Sequence, residues 1–340
     1  MEQNILSEGQ LLDAKGNLNE AGFAYSLVKQ YQRDKIKASK WRIKEWDYYY
    51  MGDEEYGIAL TIDDNSYMGL VSASILDFKN KKYINCARMY WFCNGKVNLP
   101  NTSKDGSVSK NGKDYSFSFE NNNGSHHLKV KIKNMVKNKD FVDDIKLEES
   151  SKNSMVIATP FFKPKHFYYN QKINNLIVEG EFSFGELSHK FHENTLGVLD
   201  WGRGVWTYKN TWYWSSLSVV QEGKKIGFNL GYGFGDTSKA SENMLFIDDK
   251  AYKLNDVKFN IPQKKNKDDF MSPWTITSSD SAIDMTFTPL LDRHDKTNAI
   301  IISQDAHQVF GYFNGTIRYS EGTINIKNAL GFAEKVKNKW

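Results

Sequence analysis

The chain has 340 residues, 40% hydrophobic and 25% charged, an ordinary balance for a globular protein and enough length for two domains. Its net charge of +4 is spread as single lysines through polar turns, with no basic stripe, which argues against a nucleic-acid partner. No apolar run approaches the roughly 20 residues that span a bilayer, and MEQNILSEGQLL lacks the basic and apolar regions of a signal peptide, so a cytoplasmic, non-transmembrane protein is expected.

In chain order, Phe23, Leu27 and Tyr31 recur every four residues and predict a short helix. From Trp41 onward the pattern turns to β. Residues 41–50 are strongly aromatic, and Gly52-Asp53 ends them. Strands at 56–62 and 68–78 flank a turn at 63–66. Cys86 and Cys93 fit no metal spacing and read as reduced thiols in the core. Tyr115, Phe117 and Phe119 lead through Asn121-Asn122-Asn123-Gly124 to Leu128, Val130 and Ile132, the pattern of a hairpin.

Pro160 and Pro164 bracket Phe161-Phe162 and block a central strand. An aromatic crossing segment is therefore expected at 159–175, between an N-terminal β-domain at 1–158 and a C-terminal one at 176–340. Strands resume with Leu176, Val178, Gly180, Phe182 and Phe184, and a hairpin turns at Ser279-Asp280-Ser281. Four more strands follow from Ala299 to Ile326. The spacing Trp41-x4-Trp46 returns as Trp201-x4-Trp206, a faint sign of two similar halves. Many short strands with polar turns and little helix indicate an all-β fold of two tandem antiparallel barrels or sandwiches.

The stretch 197–243 holds four of the nine tryptophans, Trp201, Trp206, Trp212 and Trp214. Within it Ile226, Phe228, Leu230, Tyr232 and Phe234 alternate with Gly227, Asn229, Gly231 and Gly233. A strand face stripped to glycine marks a close approach, by a ligand or by another backbone. Asn229 is the one hydrogen-bonding side chain on that face.

At these residues the sequence resembles a known family. G-V-L-D-W-G-R-G-V-W at 197–206, W-Y-W-S-S-L-S at 212–218, I-G-F-N-L-G-Y-G-F-G-D at 226–236 and S-E-N at 241–243 are similar to the core of the domain-of-unknown-function family 2804. So are K-E-W-D-Y-Y at 44–49, A-T-P-F at 158–161, K-H-F-Y-Y-N-Q-K-I-N at 165–174 and F-T-P-L-L-D-R at 287–293. G-Y-F-N-G-T at 311–316 and G-F-A-E-K-V-K-N-K-W at 331–340 extend the likeness over nearly the whole chain. The family brings no activity with it. A more distant likeness, in architecture and in Asp200-Trp201, is to the tandem-lipocalin proteins that include carotenoid 1,2-hydratase. That likeness implies calycin-like barrels and a cavity for a long apolar molecule.

Asp200 sits between tryptophans and just before Gly202-Arg203-Gly204, whose glycines permit a bend that aims Asp200 and Arg203 inward. Desolvated by Trp201 and Trp206, Asp200 would act as an acid; alternatively Asp200 and Arg203 form a structural pair. Glu45 and Asp47 share a strand face, as an acid/base pair, as contacts to Arg203, or as a wet edge. Glu242-Asn243 would rim a cavity or lie in a solvated loop.

His189 and His192 invite a metal reading, but no third ligand is evident and the segment does not read as a helix, so no metal is expected. Gly231, Gly233 and Gly235 lack the spacing and following helix of a nucleotide loop, so no cofactor is expected either. Three functions remain. The first is binding of an apolar or amphipathic small molecule by Trp201, Trp206, Trp212, Trp214, Asn229, Gly231, Glu242 and Asn243, in the C-terminal domain or between domains. The second is a cofactor-free hydratase or isomerase using Asp200 beside Arg203. The third is a structural protein with a filled interior whose aromatic face meets a partner or its own twin as a homodimer. An open cavity with convergent acids favours the enzyme.

Overall fold

The computed structural model describes residues 3–299 and 302–340. The aromatic strand seen in sequence is its pivot: β4 (Ile43–Gly52) buries both faces, Glu45, Asp47, Tyr49 and Met51 on one and Lys44 and Tyr50 on the other. A strand with no wet face must lie between two apolar layers.

The first layer is a curled antiparallel sheet. After the short pieces β1 (Gly9–Gln10), β2 (Gly22–Ala24) and β3 (Lys29–Gln30) it comprises β4 with β5 (Tyr56–Asp64), β6 (Met68–Asp77), β7 (Lys82–Trp91), β8 (Asp105–Asn111), β9 (Tyr115–Asn122), β10 (Ser125–Val136), β11 (Lys139–Glu148), β12 (Met155–Pro160), β13 (Phe167–Phe184), β14 (Leu187–Lys190) and β15 (Leu196–Val205). Its order is β7-β6-β5-β4-β15-β13-β11-β10-β9-β8, with β2, β12 and β14 added beside β13. The free edges β7 and β8 face each other through side chains, since Lys110 lies 4.4 Å over the Tyr90 ring.

The second sheet comprises β16 (Lys209–Gln221), β17 (Lys224–Tyr232), β18 (Met244–Ile247), β19 (Lys250–Lys253) and β20 (Val257–Asn260). A separate small hairpin, β21 (Gln263–Lys264) and β22 (Lys267–Asp268), precedes its remaining strands, β23 (Trp274–Ser278), β24 (Ile283–Ala299), β25 (Ile302–Tyr319) and β26 (Gly322–Lys339). The order is β19-β18-β17-β16-β26-β25-β24-β23-β20. Both layers are half-barrels, so the all-β, calycin-like expectation holds.

Each half-barrel has its own core, Tyr49, Phe117, Phe141 and Trp201 in the first and Phe228, Trp274, Phe287 and Phe313 in the second. Their outer faces then pack together. Tyr50 meets Phe310 at 5.2 Å and Phe332 at 5.5 Å between ring centroids, and aromatic pairs of this kind add about 0.5–1.5 kcal/mol beyond area burial. A bulge in β13 between Ile173 and Leu176 pushes Asn174 into the second sheet. There its amide donates to the carbonyls of Leu217 (3.0 Å) and Phe228 (3.1 Å).

Three expectations are corrected. Phe23 does not begin a helix, because it pairs with Ile157 on β12; sheet pairing outcompetes a helix too short to nucleate. Among the described residues the helical turns are two 3-10 turns, Arg33–Lys35 and Lys40–Arg42. The chain leaves the first sheet between Val205 and Lys209 rather than at 159–175. Pro160 ends β12 at a position that the ladder tolerates, and β13 to β15 then complete the first sheet. The two Trp-x4-Trp motifs are not equivalent parts of two halves either, because β4 and β15 are neighbours in one sheet, with Trp46 opposite Gly202.

Candidate functional site

A cleft of about 280 Å³ opens between the two sheets. Strand alternation decides what enters it. On β15 Asp200 and Gly202 face the cleft, whereas Trp201 and Arg203 face the first core; both of the latter are fully buried.

Gly202 shapes one end. A Cβ there would lie 1.9 Å from the Trp46 ring, so only glycine lets the indole cross the strand. Trp46 then meets Trp206 at 5.1 Å, Trp206 meets Phe234 at 4.7 Å and Phe234 meets Tyr168 at 4.8 Å, forming an aromatic box.

Beside the box lies a buried ion pair. Lys172 Nζ is 2.7 Å from Asp200 Oδ2 and 3.7 Å above the Trp214 ring, while Asn170 donates to Asp200 Oδ1 at 2.6 Å. Trp214 Nε1 donates to Asn229 Oδ1 at 2.7 Å, which fixes the indole from behind. Glu242 lies close by; burial raises its pKa, with Lys172 pulling the other way.

The facing wall carries Glu334 on β26. It is 8% exposed and accepts from Trp212 Nε1 (2.8 Å) and Gln308 Nε2 (3.1 Å), with Tyr48 donating to Gln308 Oε1 at 3.2 Å. Burial pushes its carboxyl up to about 7, against the donor from Trp212 and the charges of Lys172 and Arg293. Asp63, at the other side of the cleft, is also pushed up to about 7 by burial, but its carboxylate is committed to the backbone of Leu70 at 2.6 Å. Arg293 reaches the cleft from β24, donating to Ser74 Oγ at 2.9 Å.

The structure therefore brings Asp200, Trp206, Trp212, Trp214 and Glu242 together. Asn229, Gly231 and Asn243 form the wall behind them. Asn229 and Asn243 are fully buried, and Asn243 Oδ1 accepts from the Gly231 amide at 2.7 Å. The glycine face is packed rather than open: a Cβ on Gly231 would sit 2.5 Å from Glu242 Oε1, and one on Gly227 2.6 Å from Asn175 Oδ1.

The remaining predicted residues lie elsewhere. Trp201 packs against Tyr31 and Tyr169 inside the first half-barrel. Arg203 donates to the Trp46 carbonyl at 2.7 Å and to Asp47 at 3.0 Å in the same core. Glu45 accepts from Tyr31 OH at 2.7 Å and pairs with Arg33. Burial raises both acids, opposed by these arginines. They form a structural network behind the sheet, because odd spacing from Asp200 on a strand leads away from the cleft.

Sequence reasoning missed Glu334, Gln308, Lys172 and Arg293. One signal was present: Phe332, Glu334 and Val336 share a strand face, a lone carboxyl between apolar residues, which is rare without a purpose. His189 and His192 do have a third group, Asp53, at 2.7 and 3.6 Å. Both Nε2 atoms approach the same oxygen, Asp53 Oδ2, with the ring centroids 6.3 Å apart. Cys86 and Cys93 are buried and unbridged. Among the described residues no helix is long and apolar enough to cross a membrane.

Comparison with known proteins agrees with this architecture. The chain belongs to the family described as Domain of unknown function (DUF2804), whose pattern spans residues 2–340. No curated protein matches the sequence. Among solved structures, kievitone hydratase from Nectria haematococca is similar at a TM-score of 0.54 with 12% identity, over 99% of this chain and 98% of that one. A protein from Nitrosomonas europaea described as an AttH is similar at 0.53 with 12% identity, over 90% and 96% of the two chains. At that identity the likeness establishes a shared fold.

Proposed function

We propose that this DUF2804 member binds an amphipathic small molecule in the cleft between its sheets and that Glu334 transfers a proton to it, in a cofactor-free hydratase or isomerase reaction. The observation that carries this reading is the setting of Glu334: buried, raised to about 7, held by two donors, and aimed into an aromatic cavity. A carboxyl with a pKa near neutrality holds a proton and can still release it, which is what general acid–base catalysis requires.

The cavity has a division of labour that suits such a ligand. The box of Trp46, Trp206 and Phe234 takes a flat apolar portion, and Lys172 and Arg293 offer cations to a polar one. In a hydration, the Glu334 proton forms a C–H bond with the π electrons of a C=C bond. Water oxygen bonds the other carbon, and the spare proton of that water returns to Glu334. In an isomerisation the second proton comes from the substrate instead. Either way the carboxyl is regenerated and nothing else is consumed.

The fold shared with kievitone hydratase supports the same reading by analogy alone. A second reading, a binder without chemistry, is favoured by the aromatic box. The open cavity and its convergent acids favour the enzyme, and an open cavity also argues against a protein with a filled interior. Native mass spectrometry of the purified protein tests the common part. One retained amphipathic molecule per chain is expected. A chain that retains nothing and also leaves an apolar fluorescent dye unbound would overturn the proposal.

A further inference from the structure

We propose that His294, Asp305 and His307 bind a divalent transition-metal ion of the zinc class, on the face of the β24–β25 hairpin turned away from the cleft. Asp295, Gln304 and Ala306 line the cleft, so their alternating neighbours point to the other side of the same hairpin. The proposal is independent of the reading of the cleft.

His294 and His307 are directly paired across the two strands. Their rings stack at 3.8 Å with 8° between planes. Asp305 Oδ1 lies 2.7 Å from His294 Nε2 and 3.4 Å from His307 Nε2. These three ligand atoms lie within 4.8 Å of one another, and among the described residues they form the group of this kind. Zinc–nitrogen and zinc–oxygen bonds of about 2.0–2.1 Å place neighbouring tetrahedral ligands about 3.3 Å apart. The stacked rings lie in parallel planes, so an ion in line with the His307 Nε2 lone pair is out of line with that of His294, and the more exposed His294 ring must turn out of the stack to ligate it.

The surroundings orient the ligands as metal sites do. His307 Nδ1 lies 2.8 Å from Asp292 Oδ2, the carboxylate–histidine arrangement that puts the proton on Nδ1 and leaves the Nε2 lone pair free. In that tautomer the lone pair faces the Asp305 carboxylate at 3.4 Å, two acceptors that a bound cation would bridge. The Phe270 ring stacks on His307 at 3.8 Å and holds its plane. The site is half-exposed, with side-chain accessibilities of 37% for His294 and 17% for His307, so an ion enters from solvent and water completes its coordination. Lys335, opposite His307 on β26, is engaged by Asp268 at 2.5 Å. Two imidazoles and one carboxylate are a borderline donor set that prefers zinc, cobalt, nickel or copper to calcium or magnesium.

The test is calorimetric titration of metal-stripped full-length protein with Zn²⁺ at pH 7.5, repeated with Co²⁺ followed by visible absorption. The wild type is expected to take up one ion per chain with the intense bands of low-coordinate cobalt. His307→Ala and His294→Ala, checked for folding by circular dichroism, should each weaken binding by about 100-fold or more. Asp292→Asn should weaken it by about 10–100-fold, as outer-sphere partners do. His192→Ala should bind as the wild type does. A wild type without stoichiometric uptake overturns the proposal, as does uptake unchanged in both histidine variants.

Discussion

Asp200 and Arg203 stand three residues apart on β15, and their side chains enter opposite sides of the sheet: Asp200 pairs with Lys172 at 2.7 Å in the cleft, and Arg203 with Asp47 at 3.0 Å in the first core. An odd separation on a strand cannot do otherwise. The two cannot form one catalytic pair, and they support different predictions.

Arg203→Met should destabilise the chain by about 3–5 kcal/mol, because it leaves Asp47 buried without its cation. Urea denaturation measures this. A variant as stable as the wild type, with activity selectively lost, would restore Arg203 to the site.

Lys172 and Asp200 should be coupled. A double-mutant cycle of Lys172→Met and Asp200→Asn is expected to give an interaction energy of about 0.5–3 kcal/mol, the range for contacting residues. Additive single effects would show that the pair, although 2.7 Å long, contributes no stability of its own.

Gly231→Val should cost about 1–3 kcal/mol, since its Cβ would sit 2.5 Å from Glu242 Oε1 and 3.0 Å from the Tyr213 carbonyl. Phe228→Ala, a large-to-small change in the second core, should cost about 3–5 kcal/mol. Urea midpoints of the two variants check both figures. A Gly231→Val protein of wild-type stability would mean that the glycine face is open after all.

Stability should depend on pH through Glu334. Its carboxyl is raised from 4.5 to about 7 in the folded state, so the folded chain binds more protons than the unfolded chain between those values. Stability is then full below about pH 4.5 and falls as pH rises through about 7, by about 3 kcal/mol from this group alone. Asp63, also raised to about 7, acts in the same direction. Denaturation between pH 4.5 and 8 should therefore show a slope that is shallower, not abolished, in Glu334→Gln. An unchanged slope in that variant would contradict the assignment.

Much of the fold was legible because alternation is local. The hairpin turning at Asn123-Gly124 and the one at Ser279-Asp280-Ser281 declare themselves in the residues. The sheet boundary was not legible, because β13 and β15 look alike in sequence whichever sheet they join; only pairing of β15 with β4, about 150 residues earlier, decides it. At the site, Trp206, Trp212 and Trp214 were visible as an aromatic cluster. Glu334 was hidden, since its partners Trp212 and Gln308 come from two other strands. The glycine run marked a close approach correctly, but the approaching group is Glu242 and β13 rather than a ligand.

The central claim is that Glu334 moves a proton on a molecule held in the cleft. The most direct measurement compares wild type and Glu334→Gln, each loaded with the retained ligand, for uptake of solvent deuterium and of oxygen from oxygen-18 water by mass spectrometry. The account predicts equal ligand occupancy, with label uptake by the wild type reduced by about 10²–10⁴-fold in the variant, the usual range for loss of a general acid. Label uptake at the wild-type rate in Glu334→Gln, or none in a fully loaded wild type, would contradict it.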